Sequence, residues 1–289
     1  MEEFVNDEPE DILTEFDDKA EEGVLKILEL EGVVYRNEFH YRLENAMRYQ
    51  LGISEIFHQR TDAAIRRLEK EGKIVRTAPL GRPLATRKNP PLFYRLPEIP
   101  VFRPLHDEMR RKTECIDKLG SSSSGMGFYA QNLWTTAIEV LGFDIKGVNT
   151  NEYLGVKSET SGNLDIIAEF TGVPFGIDIK NGLSYPSDIH NKFMIAAEIG
   201  TIPLIIARNL SYSDRMMLYE SGGLYKLYMH CIYDVALKAS LEKCVEILGL
   251  PFVFIDAIDK HVLEHLISII SDFLPKINVL EKKLAPYRL

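Results

Sequence analysis

Two short apolar runs, residues 162–168 and 174–180, constrain the fold of this chain more than any other part of it. Each run has the length and the isoleucine-rich composition of a single β-strand. Each also carries one acid, Asp165 in the first run and Asp178 in the second. If the two runs pair as a hairpin, the two carboxylates come close together at one end of a sheet.

Lys180 follows the second acid by two residues, and alternate residues of a strand point to the same face. Asp178 and Lys180 therefore project side by side, while Ile177 and Ile179 point into a core. This arrangement suits a Mg²⁺ or Mn²⁺ ion and an activated water, the machinery of phosphodiester cleavage. The alternative is an exposed hairpin with a simple salt bridge. The two isoleucines favour a functional site, because a buried strand rarely carries ionised side chains without a ligand.

The pattern resembles the PD-(D/E)XK nuclease superfamily, which includes many restriction endonucleases and the archaeal Holliday-junction resolvases. The family core is a helix, a three-strand meander, a helix and a further strand. Residues 128–143 resemble its first helix, the two acidic runs its second and third strands, 191–200 the next helix and 202–208 the following strand. The resemblance implies a restriction-endonuclease-like α/β domain over 128–289, with a mixed sheet flanked by helices and a C-terminal helical extension.

The resemblance also implies roles for individual residues. Asp165 and Asp178 would bind the metal together with the backbone carbonyl of Ile179, and Lys180 would orient or help to deprotonate the attacking water. Gln131 stands where many resolvase-like members carry a helix glutamate. Further candidates for the site, in chain order, are Glu139, Glu159, His190 and Lys192.

Upstream, residues 23–98 show three amphipathic helical patterns followed by two β-like runs on either side of a turn-rich tip. This order, with Leu-Glu-Lys-Glu-Gly-Lys-Ile-Val at 68–75, resembles a winged helix-turn-helix domain, an α+β fold. The resemblance implies a helix in the major groove of DNA and a wing against the phosphates. The implied DNA contacts are Arg60, Arg66, Arg67 and Lys70 on the third helix and Arg82, Arg87 and Lys88 at the wing tip. A protein-binding helical adaptor is the alternative.

The charge of the chain is distributed unevenly. The net charge is −9, but residues 1–22 hold eleven acids and one lysine, which leaves a net of +1 elsewhere. Residues 33–96 hold thirteen Lys and Arg against six acids. Because local charge governs contact with phosphates, this basic segment is compatible with DNA binding. We expect a flexible acidic tail at 1–22, or a DNA mimic that shields the basic domain, and a linker at 99–127.

The sequence gives little support for other functions. The segment from His261 to His265 matches the inverted zinc-protease motif, but it needs a third ligand and only a short tail follows. A surface histidine pair on an amphipathic helix is the simpler interpretation. No P-loop, nucleophile elbow or paired C-x-x-C occurs. Three scattered cysteines, no apolar run of about 20 residues and an acidic N-terminus favour a cytoplasmic protein.

The sequence therefore predicts a Mg²⁺- or Mn²⁺-dependent endodeoxyribonuclease that a winged-helix domain directs to DNA. Cutting both strands usually requires two sites, so we expect a homodimer. The alternative hypothesis is a non-catalytic DNA-binding regulator with a degenerate nuclease fold. A third is a subunit that works only with a helicase or another repair partner. Neither the form of the DNA nor a choice between DNA and RNA follows from the sequence.

Overall fold

The computed structural model describes residues 10–51, 58–78, 91–122, 125–182, 184–228 and 230–289, apart from the side chains of 10–17, 44–51 and 58–59. The chain divides into two compact units. Unit 1 comprises Met1–Ser121 with Leu241–Pro251, and unit 2 comprises Ser122–Ser240 with Phe252–Leu289. The class is mixed α/β, as expected, with a mixed sheet flanked by helices in unit 2.

Unit 1 combines helices with a small antiparallel sheet. Its elements are α1 (Glu10–Glu31), β1 (Val34–Tyr35), α2 (Arg36–Leu51), α3 (His58–Lys70), β2 (Val75–Thr77), β3 (Phe93–Arg95) and α4 (Arg103–Ser122). The sheet order is β1–β3–β2, so the central strand carries Tyr94 between Val34 and Arg76. The two-residue strand β1 has no counterpart in the sequence analysis. The wing-tip residues Arg82, Arg87 and Lys88 lie outside the described residues.

The predicted acidic tail at 1–22 differs from the structure in its second half. Helix α1 begins at Glu10, and Ala20 is buried with Val24 and Leu28 at intervals of four residues. This spacing forms one apolar stripe on a helix, which packs into the core of unit 1. The high density of acids concealed that stripe in the sequence.

The predicted linker at 99–127 also differs, because helix α4 occupies most of it and packs into unit 1. Lys112 is only 1% exposed, and its Nζ lies 2.8 Å from Glu38 Oε2 and 3.0 Å from the carbonyl oxygen of Val33. Glu38 is fully buried, and burial raises its pKa although Lys112 opposes the shift. A buried ion pair therefore attaches α4 to the first two helices and β1.

This pair generates a stability prediction. Lys112→Met should lower the free energy of unfolding by about 3–5 kcal/mol, because it leaves Glu38 buried without its closest cation. The double variant Lys112→Met/Glu38→Gln should lose less than half as much, because no buried charge remains. Urea denaturation followed by far-UV circular dichroism measures both. Equal losses in the two variants would show that packing of the Lys112 stem, and not charge, holds α4.

Unit 2 is built around one five-stranded sheet. Its elements start with α5 (Met126–Val140), β4 (Asp144–Thr150), β5 (Glu152–Tyr153), β6 (Val156–Lys157), β7 (Leu164–Phe170), β8 (Val173–Lys180), α6 (Pro186–Glu198), β9 (Ile202–Ala207), α7 (Tyr212–Ser221) and β10 (Leu224–Leu227). The order is β10–β9–β8–β7–β4. Strands β4, β7 and β8 form an antiparallel meander, and β9 and β10 continue it in parallel. The expected helix, meander, helix and strand are thus present in that order.

The C-terminal part adds a separate two-stranded sheet to unit 2. It contains β11 (Cys231–Asp234), α8 (Lys238–Leu248), β12 (Phe252–Ile255), α9 (Lys260–Phe273) and α10 (Ile277–Leu284), with short 3₁₀ helices at Val235–Leu237, Leu274–Lys276 and Ala285–Tyr287. Strand β12 pairs with β11 in a separate parallel sheet and does not extend the five-stranded one. Most of α8 belongs to unit 1. None of the described helices is long and apolar enough to cross a lipid bilayer.

The two faces of the five-stranded sheet bury different layers. Ile166 and Ile177, which pair across β7 and β8, belong to the larger core with Trp134 of α5. Ile167 belongs to a smaller core with Ile195 of α6. The alternation along each strand therefore places one helix layer on each side, and the side that α6 covers is the side that carries the charged residues of β8.

Gly176 allows α6 to approach the sheet closely. A Cβ atom at this position would lie 2.7 Å from the Cβ of Ala196 and 2.5 Å from Thr201 Oγ1, closer than real side chains come. Any larger residue would push α6 away from β8. Since Gly176 and Asp178 share one face of β8, the same close approach brings α6 over Asp178.

Candidate functional site

The hairpin of β7 and β8 brings the two predicted metal-binding acids together. Ile166 pairs with Ile177, and continuing this register by one residue sets Asp165 opposite Asp178. Here a side chain takes the place of a backbone acceptor, because the backbone N–H of Ile179 donates to Asp165 Oδ2 at 2.7 Å. The carboxylate of Asp165 is therefore held at the end of the paired region, beside Asp178.

Asp178 is fully buried and lies between two lysines. Lys180 Nζ is 2.8 Å from Asp178 Oδ2, and Lys192 Nζ is 3.0 Å from Asp178 Oδ1. Both contacts are short ion pairs, so two ammonium groups balance the charge of the buried carboxylate. Its oxygens are also of the type that binds hard cations such as Mg²⁺.

Helix α6 adds a third acid, Asp188, which the sequence analysis did not find. Asp188 Oδ2 lies 2.7 Å from Lys180 Nζ, so Lys180 bridges Asp178 and Asp188. Lys192 was a secondary candidate, and it lies at the site, where it contacts Asp178 and the carbonyl oxygen of Asn163. The signal in the sequence is the spacing of four residues between Asp188 and Lys192, which places both on one face of the helix.

Together, Lys192, Asp178, Lys180 and Asp188 form what we call the four-charge row. Burial raises the pKa of Asp165 to about 6, and the charge of Asp178 adds to this effect. Burial opposes the charge of Lys180, but Asp178 and Asp188 raise its pKa above the ordinary value. The lysine therefore stays protonated at neutral pH, while Asp165 gains from any added positive charge.

The remaining candidates lie at different distances from this cluster. Gln131 is buried in α5, and its amide donates to the carbonyl oxygen of Asp165 at 3.0 Å. Glu139 is exposed eight residues further along α5, about 12 Å along the helix axis. Glu159 and His190 are exposed as well. The structure therefore brings Gln131 to the site, where it donates a hydrogen bond to the backbone. It does not bring Glu139 there.

The donors present fit a small hard cation. Asp165 and Asp178 supply carboxylate oxygens, and Ile179 directs its carbonyl at the same neighbouring strand as its N–H, beside Asp165. Mg²⁺ typically binds proteins through one or two carboxylates and completes its shell with waters and substrate phosphate oxygens. Across the described ranges, no group of three or more His, Cys, Asp or Glu side chains forms a metal site. Waters, and in the complex a substrate phosphate, would therefore complete the coordination.

Backbone contacts fix the carboxyl end of β8. The carbonyl oxygen of Lys180 accepts from the N–H of Arg208 at 2.9 Å and from the hydroxyl of Tyr228 at 3.1 Å. The next residue, Asn181, is buried and exchanges two 2.7 Å hydrogen bonds with the backbone of Ile232. The strand end that carries Lys180 is thereby attached to β11.

A carboxylate at the other end of α6 fixes the loop that enters β7. Glu198 is buried and accepts from Ser158 Oγ at 2.5 Å and from Thr160 Oγ1 at 2.8 Å, as well as from backbone N–H groups of the loop. Burial opposes its ionisation, but these hydrogen bonds hold the pKa of Glu198 below its ordinary value. The loop leads directly to Asp165.

Helix α3 carries the predicted DNA-binding residues of unit 1, and they differ in their surroundings. Arg66 and Lys70, four residues apart, are exposed. Arg67 Nε lies 2.5 Å from Glu21 Oε1 of α1, so an acid from the predicted tail neutralises it. Arg60 is half-buried. The exposed cationic surface of this helix is therefore smaller than the sequence indicates.

The inverted zinc-protease motif does not form a metal site. His261 Nδ1 lies 3.2 Å from Glu264 Oε2 on the exposed side of α9. His265 Nδ1 lies 2.7 Å from Nζ of the buried Lys226 on β10, whose pKa burial lowers. The two histidines thus have different partners, and no third ligand of His, Cys, Asp or Glu type joins them in the described part of α9 and its surroundings.

No family model matches this chain, and no curated protein matches it. The fold and the site define a mixed α/β protein with a buried row of alternating charges at the edge of a β-hairpin. The functional argument therefore depends on what these side chains do chemically.

The raised pKa of Asp165 generates a prediction for the metal-free protein. Asp178→Asn should lower the pKa of Asp165 from about 6, but not to 3.8, because burial is the larger cause. Since the folded pKa exceeds the unfolded one, Asp165 favours folding below about pH 4, and this contribution disappears as the pH rises through about 6. Carbon-13 NMR of the carboxyl group reports the titration.

The matched control for this titration is Asp144→Asn, which removes an exposed acid of β4 that pairs with Lys146. It should leave the titration of Asp165 unchanged. A pKa of Asp165 near 4 in the unsubstituted protein would contradict the buried arrangement of the two carboxylates.

Proposed function

We propose that this protein is a Mg²⁺- or Mn²⁺-dependent endonuclease that hydrolyses phosphodiester bonds in DNA. The observation that carries the proposal is the buried Asp178, with Asp165 opposite it in the hairpin and Lys180 within 2.8 Å. The order of helix, meander, helix and strand around these residues supports a restriction-endonuclease-like fold of the PD-(D/E)XK type.

In the proposed reaction, a Mg²⁺ ion held at this site would act as a Lewis acid and would lower the pKa of a water bound to it. Asp165, Asp178 and the carbonyl oxygen of Ile179 would hold the ion. Lys180 keeps its proton, so its ammonium would orient the attacking water and stabilise the charge that develops on the phosphate. Gln131 would hold the strand end that carries Asp165 through its hydrogen bond to the backbone.

We also propose that unit 1 is a winged helix-turn-helix domain that binds DNA. The element order α1, β1, α2, α3, β2, β3 and the sheet order β1–β3–β2 support this assignment. Helix α3 would enter the major groove and present Arg66 and Lys70. A protein-binding adaptor with the same fold is the alternative.

A second candidate function is DNA binding without catalysis. Gln131 favours it, because a neutral amide stands where many nucleases of this type carry a glutamate, and it bonds to the backbone of Asp165. The chain would then grip DNA with a nuclease-like domain that does not cut, as a regulator or as a subunit of a repair complex. Activity that requires a helicase or repair partner is the third hypothesis. Homodimerisation and cytoplasmic location remain predictions.

The first experiment is cleavage of supercoiled plasmid and of oligonucleotide junctions with Mg²⁺ or Mn²⁺. Asp178→Asn and Lys180→Met should each reduce the rate by about 10²–10⁴-fold, because each removes charge from the reacting centre. The matched controls Asp144→Asn and Lys157→Met change exposed residues of β4 and β6 and should retain full activity. Equal cleavage by all variants would assign the activity to a contaminant.

The DNA-binding proposal predicts a change in salt dependence. Arg66→Ala and Lys70→Ala should each reduce the slope of log affinity against log salt concentration by about 1, because each removes one phosphate contact. Arg67→Ala should have a smaller effect, because Glu21 already pairs with Arg67. Fluorescence anisotropy with labelled duplex measures the slopes.

Lys26→Ala, on the exposed side of α1, is the control for charge alone. If it lowers the slope as much as the α3 variants do, the binding is a diffuse electrostatic attraction. The assignment of α3 to the groove would then be wrong.

A further inference from the structure

We infer that Asp188 is a positioning residue that retains Lys180 when a divalent cation takes Asp178. The inference rests on the proposed metal-dependent function and assigns a role to a residue that the sequence motif does not contain. Its basis is the four-charge row, in which Lys180 contacts Asp178 Oδ2 at 2.8 Å and Asp188 Oδ2 at 2.7 Å.

The row creates a competition at Asp178. Both of its oxygens already face ammonium groups, at 2.8 Å and 3.0 Å. A divalent cation bound to the same oxygens would stand next to two positive charges inside a buried site, where repulsion is weakly screened. Metal binding therefore requires at least one ammonium to withdraw from the carboxylate.

The two lysines differ in what remains to them after withdrawal. Besides Asp178, Lys180 has the carboxylate of Asp188, which is not among the proposed metal-binding acids. Lys192 contacts the neutral carbonyl oxygen of Asn163 and interacts electrostatically with Asp165, an acid that the cation would also take. Both lysine side chains are only 16% exposed, so an ammonium that lost its carboxylate there would lose its charge compensation. Lys180 is thus the lysine that can release Asp178 and stay paired with a carboxylate near the metal.

The position of Asp188 suits this role. Its side chain is 42% exposed, so an ammonium held there faces the solvent from which the attacking water comes. Asp188 lies in the first turn of α6, after Pro186, where the helix dipole stabilises a carboxylate. Asp188 is therefore placed where it can hold the ammonium of Lys180 at the solvent-facing side of the site.

A double-mutant cycle on Mn²⁺ binding without DNA tests the inference by isothermal titration calorimetry. Asp188→Asn should weaken Mn²⁺ binding about 5–10-fold, because Lys180 then has no acid other than Asp178. Lys180→Met should strengthen binding, because it removes a competitor. In the Lys180→Met background, Asp188→Asn should change the Kd less than twofold. Glu220→Gln, an exposed acid of α7, is the control and should change nothing.

An equal weakening by Asp188→Asn in both backgrounds would overturn the inference, because Asp188 would then act directly on the cation. If the unsubstituted protein binds no Mn²⁺, the proposed metal-dependent function fails and this inference fails with it. If Mn²⁺ binds and the cycle shows no coupling, only the role of Asp188 fails.

Cleavage kinetics give an independent readout of the same role. Asp188→Asn should lower kcat about 10-fold with little change in the KM for DNA, since Asp188 places Lys180 and does not bind the substrate. Asp188→Glu should restore most of kcat, because it keeps the charge on the same helix face. A loss confined to KM would instead make Asp188 a substrate contact and overturn the proposal.

Discussion

The complete burial of the Asp178 carboxylate is the constraint on which the arrangement of unit 2 depends. A buried, isolated carboxylate is strongly unfavourable, so cations must accompany it. Lys180 comes from the same strand and Lys192 from the helix above it, which means that strand and helix must be held together for the charge to be tolerated. Gly176 meets this requirement, because the absence of a side chain there lets α6 pack closely against the sheet.

The same arrangement supports the proposed binding of a divalent cation. Asp165 and Asp178 face each other across the hairpin, and burial with mutual repulsion raises the pKa of Asp165. Two lysines offset part of this repulsion. A cation between the two carboxylates would relieve the repulsion that the ammonium groups leave.

The sequence predicts those parts of the site that depend on strand periodicity. The proximity of Asp165, Asp178 and Lys180 can be predicted from the sequence. Side chains alternate along each strand, and a hairpin between the two strands is enough to set their register. Asp188 does not follow, since its contact with Lys180 depends on the angle at which α6 crosses β8. Helix α4 lies where the sequence predicts a linker, because its many charged residues conceal one that is buried, Lys112. In both cases the deciding contact joins two separate secondary-structure elements.

Local ion pairs also determine how well the net charge of the chain describes its surface. The acids near the N-terminus make the chain acidic in total, yet Glu21 is used locally, against Arg67 of α3. This contact neutralises one candidate phosphate ligand and leaves Arg66 and Lys70 on the exposed side of the same helix. A phosphate responds to the cations within about a Debye length of it, roughly 8 Å at physiological ionic strength. For the DNA binding that we propose for unit 1, the local pairing of Arg67 with Glu21 therefore matters more than the net charge of the chain.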